Sequence, residues 1–399
     1  MAEDRTTLRV WISTIAVCLL ATVLEGLDIQ SVGVAAPKLV KEFGLSPTQA
    51  GLLFSAGPLG LFFGAGPGGW LGDRIGRRWA LAGSIVIFGV FSLVMTVAAT
   101  PAALVLVRFL TGLGLGGAMP NLIAITADAT PLRWKRSMAT ALWVGTPVGG
   151  LIASQIARGA ADWRLIFLAG GLGPIFLAPL VLLCVPKTET SAAESDGQSL
   201  WKELFSRERA GSTIALWLAF FCTLLLLHLF LNWLPLLVTG QGHPPQVAAA
   251  AAFWFNLGGC TGTLLFAAGL ATSRPRTMIA AVYLGMAASL LGLASFGDQP
   301  AAMLSLAFFA GAFVITSAFV LYGLTPELYA SRLRGAGVGA AVAAGRAGSV
   351  VGPAAVGLML SGGLSSSTVL MRIIPLAVIA GLAAAWCFRR TESSRRLAV

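Results

Sequence analysis

Gly69-Trp70-Leu71-Gly72-Asp73-Arg74-Ile75-Gly76-Arg77-Arg78 is the stretch that decides the fold. It joins two apolar runs and places an acid among three glycines and three arginines. Glycines allow a tight turn and a close approach of helices. An acid beside helix ends can take an arginine or a helix N-terminus and clamp one conformation. A loop kept basic only for topology needs the arginines but not this spacing, so Gly69, Asp73, Arg74, Gly76, Arg77 and Arg78 read as a gating loop.

The flanking sequence fixes the setting. Of the 399 residues, 57% are apolar and 11% charged, with a mean hydropathy of +0.84. A soluble domain carries about 25% charged residues, so the chain lacks the polar surface of a water-soluble globule. Its composition also excludes disordered, collagen-like and disulfide-scaffold classes. A spanning helix needs roughly 20 apolar residues. Twelve such segments are predicted: 10–36, 50–71, 79–99, 103–126, 138–160, 164–185, 213–238, 247–270, 277–296, 301–325, 336–360 and 371–388. The first is too long for the apolar region of a signal peptide and no small-residue cleavage site follows it.

Charge gives the orientation. With the N-terminus inside, 20 of the 27 basic residues fall on the cytoplasmic side. Lys38, Lys41, Arg158, Arg164 and Arg372 fall outside, and Arg108 and Arg346 lie within spans. The positive-inside rule therefore predicts both termini in the cytoplasm. The net charge of +11 is spread through loops and forms no aromatic-interleaved patch, which argues against nucleic acid. Cys18, Cys184, Cys222, Cys260 and Cys387 show no pairing or metal spacing and read as small buried hydrophobes.

One long polar stretch interrupts the apolar pattern. It predicts an N-terminal six-helix bundle over 1–186, a cytoplasmic linker over 187–211 and a C-terminal six-helix bundle over 212–399. A shift of 199 residues carries Asp128 onto Glu327, each followed five positions later by an arginine, Arg133 and Arg332. The same shift carries Asp73 onto Thr272. A duplicated unit explains both, as in two-bundle transporters.

Three spans hold residues able to carry a transport mechanism. In the first, Glu25 and Asp28 stand at i, i+3 and so share a helix face. An acid pair without a basic neighbour in its helix can take and release a proton, which symport requires; a solvated pair at the outer mouth is the plainer reading. In the fourth, Arg108 precedes Thr111-Gly112-Leu113-Gly114-Leu115-Gly116-Gly117. An arginine in a span is functional by default, facing a cavity or a paired acid. In the eleventh, Arg346 within Gly345-Arg346-Ala347-Gly348 can meet a carboxylate with two parallel hydrogen bonds. The favoured assignment gives the substrate carboxylate to Arg346 and Asp28 to Arg108, and the reverse stays open. His228 can titrate or bind a phenolic hydroxyl, although a lone histidine on an apolar helix is more often a packing residue. Asn232 lies a turn beyond, and Trp233 reads as an interface-belt residue. Tyr322, Phe319 and Trp254 are candidates to hold an aromatic ring.

The loop at Gly69–Arg78 resembles the signature of the major facilitator superfamily, and the likeness runs from about residue 10 to 390. Within it the chain is similar to aromatic acid:proton symporters. These carry an acid-Gly-x-Asp sequence in the first helix, an Arg-x-x-Thr-Gly-x-Gly run in the fourth, an acid twenty residues later and arginines around helix eleven. Glu25/Asp28, Arg108, Asp128, Arg334 and Arg346 match them here. The strings Glu25–Gln30, Pro120–Ala124 and Asn232–Leu237 look most like the subgroup that carries 3-(3-hydroxyphenyl)propionate. The resemblance implies an all-α membrane protein of twelve helices, with the substrate held at the midplane between two bundles. It implies proton coupling through Glu25, Asp28 and Arg108, and gating at Asp128, Arg133, Glu327 and Arg334 in addition to the Gly69–Arg78 loop. Departures are Glu25 for the commoner aspartate, Thr272 for the second acid of the repeat, and Pro186-Lys187-Thr188 after helix six.

The expected function is import of a hydroxylated aromatic carboxylate with protons by alternating access. The setting is a bacterial inner membrane, and the chain works as a monomer with no cofactor or metal beyond the proton gradient. A drug:proton antiporter of the same fold is the alternative, disfavoured because two intramembrane arginines suit an anion. No nucleophile–base pair, metal cluster or phosphate loop points to an enzyme.

Overall fold

The computed structural model describes residues 2–131, 134–160, 162–187, 203–206, 209–269, 275–297, 299–329 and 333–389. The expectations placed on Arg133, Arg332, Thr272 and most of the linker fall outside these residues.

The chain divides into two compact units, Met1–Ala193 and Glu194–Val399. The first holds α1 (Ala2–Phe43), α2 (Pro47–Ile75), α3 (Arg77–Met95), α4 (Pro101–Ala129), α5 (Lys135–Gly159) and α6 (Arg164–Cys184). The second holds α7 (Ala210–Gly240), α8 (Pro245–Gly269), α9 (Pro275–Phe296), α10 (Pro300–Leu324), α11 (Arg334–Ser361) and α12 (Ser366–Cys387). A 3₁₀ turn, Thr325–Leu328, follows α10. Among the described residues, eleven helices are long and apolar enough to cross a membrane. The remaining one, α5, has 25 residues, but Thr146, Pro147, Ser154 and Gln155 dilute its apolar content.

Helix boundaries follow local chemistry. Ser46 caps α2 through a reciprocal bond with Gln49, with Pro47 in the first turn where its missing N–H costs nothing. Thr100 caps α4 by accepting from the Ala103 N–H, again ahead of a proline, Pro101. Between α2 and α3 the chain reverses at Gly76, whose φ of +95° is open to glycine and strained for other residues. The first helix runs seven residues beyond the predicted end at 36, through Pro37. There the apolar run stops but the helix does not, because Lys38 donates to the Ala160 carbonyl (2.5 Å) and Glu42 accepts from Trp163 and Arg164 (2.6 and 2.7 Å).

Each unit packs by the same scheme: its second helix on its fourth, its first on its fifth, and its third on its fourth and sixth. Glycines set the crossings, since a Cβ at several of them would collide with backbone of the facing helix. In the first unit Gly60 abuts Phe109, Gly64 abuts Leu113 and Gly112 abuts Gly57. In the second, Gly258 abuts Phe308, Gly262 abuts Ala312 and Gly311 abuts Phe255. These contacts superimpose by a shift of 198 residues on the second helix of each unit and 199 on the fourth. The internal repeat is thus written in helix contacts as well as in two loop acids.

Candidate functional site

Two clusters of buried polar residues stand out, one in each unit. In the first, Asp28 sits on α1 at 0% exposure, Glu25 at 1% and Arg108 on α4 at 3%. Arg108 Nη1 donates to Asp28 Oδ2 at 2.9 Å. Why these side chains meet follows from packing. Gly57 of α2 leaves room for the guanidinium, since a Cβ there would stand 3.3 Å from Nη2. Gly26 and Gly149 let α1 press against α5, which turns Asp28 inward. The Asp28 backbone carbonyl accepts from Ser31 Oγ (2.6 Å). The other carboxylate oxygen, Oδ1, has no hydrogen-bond partner among the described residues, and neither does Arg108 Nε. Oδ1 faces a space bordered by Gly170 of α6, Leu27 and Ser92 of α3.

This geometry carries a chemical consequence. A buried ion pair loses hydration on both sides and regains it only through close contact and full hydrogen bonding. Here the contact is close but the hydrogen bonding is incomplete. A proton placed on Asp28 removes the attraction that holds Arg108 and leaves the arginine to seek another anion. Neutralising either partner would leave the other without its counter-charge.

In the second unit Arg346 lies half-buried on α11, and its charge reaches both His228 of α7 and Tyr322 of α10. The preceding residue, Gly345, packs on Leu224 and Phe220 of α7, and Phe220 meets the Tyr322 ring edge-on at 5.3 Å. Tyr322 and Gly345 thus meet the Phe220–Leu224 stretch of α7, and His228 follows one turn beyond Leu224. His228 is 6% exposed, and its Nδ1 stands 3.1 Å from the Leu224 carbonyl. Asn232 is buried and donates to the His228 carbonyl at 2.7 Å.

Other candidates fall elsewhere. Trp254 is 40% exposed; its ring neighbours are Phe253 and Phe308, and it borders an apolar groove of about 410 Å³ with Ala301, Leu304, Ser305 and Phe309. Phe319 is buried edge-on against Phe266. Trp233 is no interface-belt residue: it is 1% exposed, and its indole donates to the Pro353 carbonyl of α11 at 2.9 Å. A leucine-rich neighbourhood near a helix end suggested the membrane surface, and only the α7–α11 contact shows the side chain turned inward.

In the loop after α2, Arg77 pairs with Asp128 at the end of α4, and Arg74 lies over the Trp70 ring at 4.4 Å. Arg78 donates to the Leu182 carbonyl (3.4 Å). Asp73 is exposed and, within its unit, makes no ion pair or hydrogen bond among the described residues. Gly69 stands against Pro120, Glu327 lies exposed in the 3₁₀ turn, and Arg334 is exposed at the start of α11. Sequence reasoning missed Asn121, whose amide donates to the Gly68 and Gly117 carbonyls (3.0 and 2.9 Å) and ties α2 to α4. Its signal was available: an amide within an apolar, glycine-rich span.

Comparison with known proteins follows the same lines. The chain is 40% identical to the 3-(3-hydroxy-phenyl)propionate transporter of Escherichia coli K12 over 372 residues, 93% of this chain and 92% of that protein. It is 30% identical to the 4-hydroxybenzoate transporter PcaK of Acinetobacter baylyi over 413 residues, 93% and 89% of the two chains. The crystal structure of a D-xylose-proton symporter shares the fold, with a TM-score of 0.77 at 19% identity, over 95% of this chain and 97% of that one. These relatives are multi-pass carriers rather than enzymes, and this chain is one too. Residues 18–353 match the family model described as Major Facilitator Superfamily, and with that match and these relatives the chain belongs to the major facilitator superfamily.

Proposed function

We propose that the protein imports a hydroxylated aromatic carboxylate into a bacterial cell across the inner membrane, together with protons, by alternating access. The observation that carries this reading is the buried Asp28–Arg108 pair, with one carboxylate oxygen left without a hydrogen bond. Such a pair is costly to bury and is functional by default within a span. Arg346, with His228 and Tyr322 around it, supplies a cation and hydrogen-bonding groups suited to an aromatic acid. The printed substrates of the relatives, 3-(3-hydroxyphenyl)propionate and 4-hydroxybenzoate, belong to the same chemical class.

In this reading each unit is a six-helix bundle, both termini face the cytoplasm, and a single chain transports without a cofactor. Arg346 holds the substrate carboxylate through its planar fork. Asp28 takes a proton from the outer side, the Arg108 guanidinium is released, and the loaded carrier reorients. Loss of that proton to the cytoplasm re-forms the ion pair. Glu25, buried on the same face of α1, shares the proton with Asp28. The Arg77–Asp128 pair, with Glu327 and Arg334, opens and re-forms at the cytoplasmic ends during the cycle.

Proteoliposomes test this directly. Uptake of labelled 3-(3-hydroxyphenyl)propionate should rise when the outside is made acidic, and Asp28→Asn should abolish that accumulation while the protein remains in the membrane. Accumulation driven by a proton gradient of the opposite sense, or undiminished in Asp28→Asn, would refute the proposal.

A further inference from the structure

The Arg346 cluster contains one more group whose chemistry is set by its surroundings. His228 Nδ1 lies 3.1 Å from the carbonyl of Leu224, four residues earlier on the same helix. A carbonyl can only accept, so Nδ1 carries the hydrogen, and the neutral ring presents a lone pair at Nε2. That nitrogen makes no hydrogen bond among the described residues. One turn further along, Asn232 donates to the His228 backbone carbonyl. The imidazole is thus an acceptor on a residue only 6% exposed, oriented by its own Nδ1 bond.

Its position relative to Arg346 gives the acceptor a use. Gly345 packs on the Leu224 side chain and the Arg346 charge reaches the His228 ring, so guanidinium and acceptor belong to one cluster. We infer that His228 reads the ring hydroxyl of the substrate: Nε2 accepts the phenolic O–H while Arg346 holds the carboxylate. His228 is then a specificity residue. It does not take part in proton coupling, and it makes the carrier prefer hydroxylated aromatic acids to their unsubstituted counterparts. A site built to pair with a substrate hydroxyl rejects the analogue lacking it, because the buried partner is left unpaired.

This inference rests on the assignment of the substrate carboxylate to Arg346, and the test separates the two. Binding of 3-(3-hydroxyphenyl)propionate and of 3-phenylpropionate is measured by calorimetry on the purified full-length protein, with a melting curve for each variant. The parent should bind the hydroxylated acid about tenfold or more tightly than the unsubstituted one. His228→Phe should weaken the hydroxylated acid about tenfold and leave phenylpropionate within about twofold, so that the preference disappears. His228→Gln, which keeps an acceptor, should retain part of the preference, and it serves alone should the phenylalanine variant fail to fold. Equal weakening of both acids, or an unchanged ratio in either variant, overturns the inference. So does loss of the ratio in Tyr322→Phe with retention in His228→Phe, since Tyr322 is the other hydroxyl-bonding group beside Arg346. Arg346→Gln should weaken both acids together. If it leaves both bound as in the parent, the carboxylate assignment fails, whatever His228 does.

Discussion

Neutralising Asp28 tests the buried ion pair separately from transport. Asp28→Asn preserves shape and a carbonyl oxygen that can accept from Arg108 Nη1, but it removes the charge that balances a guanidinium exposed by only 3%. Breaking a buried pair by removing one partner costs about 3–5 kcal/mol, because the survivor is left uncompensated. Arg108→Gln should cost a similar amount for the converse reason, leaving Asp28 charged at 0% exposure. Removing both charges together leaves neither stranded, and replacement of a buried pair by neutral groups is often close to neutral in stability. The double variant should therefore be more stable than either single one, a non-additivity of several kcal/mol. The assay is unfolding of the detergent-purified protein by intrinsic fluorescence, compared across the four members of the cycle. All three variants should be inactive in gradient-driven uptake, since none retains both the titrating acid and its arginine. Single variants as stable as the parent, or a double variant whose loss equals the sum of the singles, would show that the two charges do not depend on one another.

Two further predictions address the frame around the site. Asn121→Ala removes the two hydrogen bonds to Gly68 and Gly117, at about 0.5–1.5 kcal/mol each; it should lower the unfolding midpoint while leaving the substrate dissociation constant within about twofold, measured by calorimetry. Arg77→Ala breaks the pair with Asp128, whose members are 31% and 55% exposed; a surface pair is worth about 1 kcal/mol or less, so stability should hardly change, whereas initial uptake rates in proteoliposomes should fall.

Much of this was legible in the sequence because membrane helices must be apolar and glycine crossings leave a visible spacing. The glycine turn after α2, the repeat and the arginines within the spans could be read from residue type and interval. Three things could not. The end of α1 was hidden because a helix does not stop where its apolar run stops, and its last turns are held by Ala160, Trp163 and Arg164, more than 110 positions away. The inward turn of Trp233 depends on a carbonyl of another helix. Nor does spacing say which arginine faces Asp28: on paper both Arg108 and Arg346 were eligible, and the Asp28–Arg108 contact comes from the room left at Gly57 and the approach of α1 to α5 at Gly26 and Gly149.

The repeat also shows how one scaffold came to hold two different chemistries. Along α1 and α7 the shared register places Val23 opposite Phe221 and Gly26 opposite Leu224 as contacts of equivalent residues in α5 and α11. Continuing it, Asp28 falls on Leu226, and the register of α4 and α10 carries Arg108 onto Ala307, both apolar and buried. In the reverse direction, Arg346 of α11 falls on Pro147 of α5, a residue with no hydrogen to donate. Thus neither unit repeats the other's charges within the spans, although both repeat its glycine crossings. The crossings are the part duplication can copy without cost, because they involve only backbone and small residues. A buried charge is different: copying Arg108 without Asp28 would strand a guanidinium in an apolar interior. That constraint leaves a matched ion pair on one copy of the scaffold. It leaves on the other an arginine whose counter-ion, in the proposed function, is the substrate.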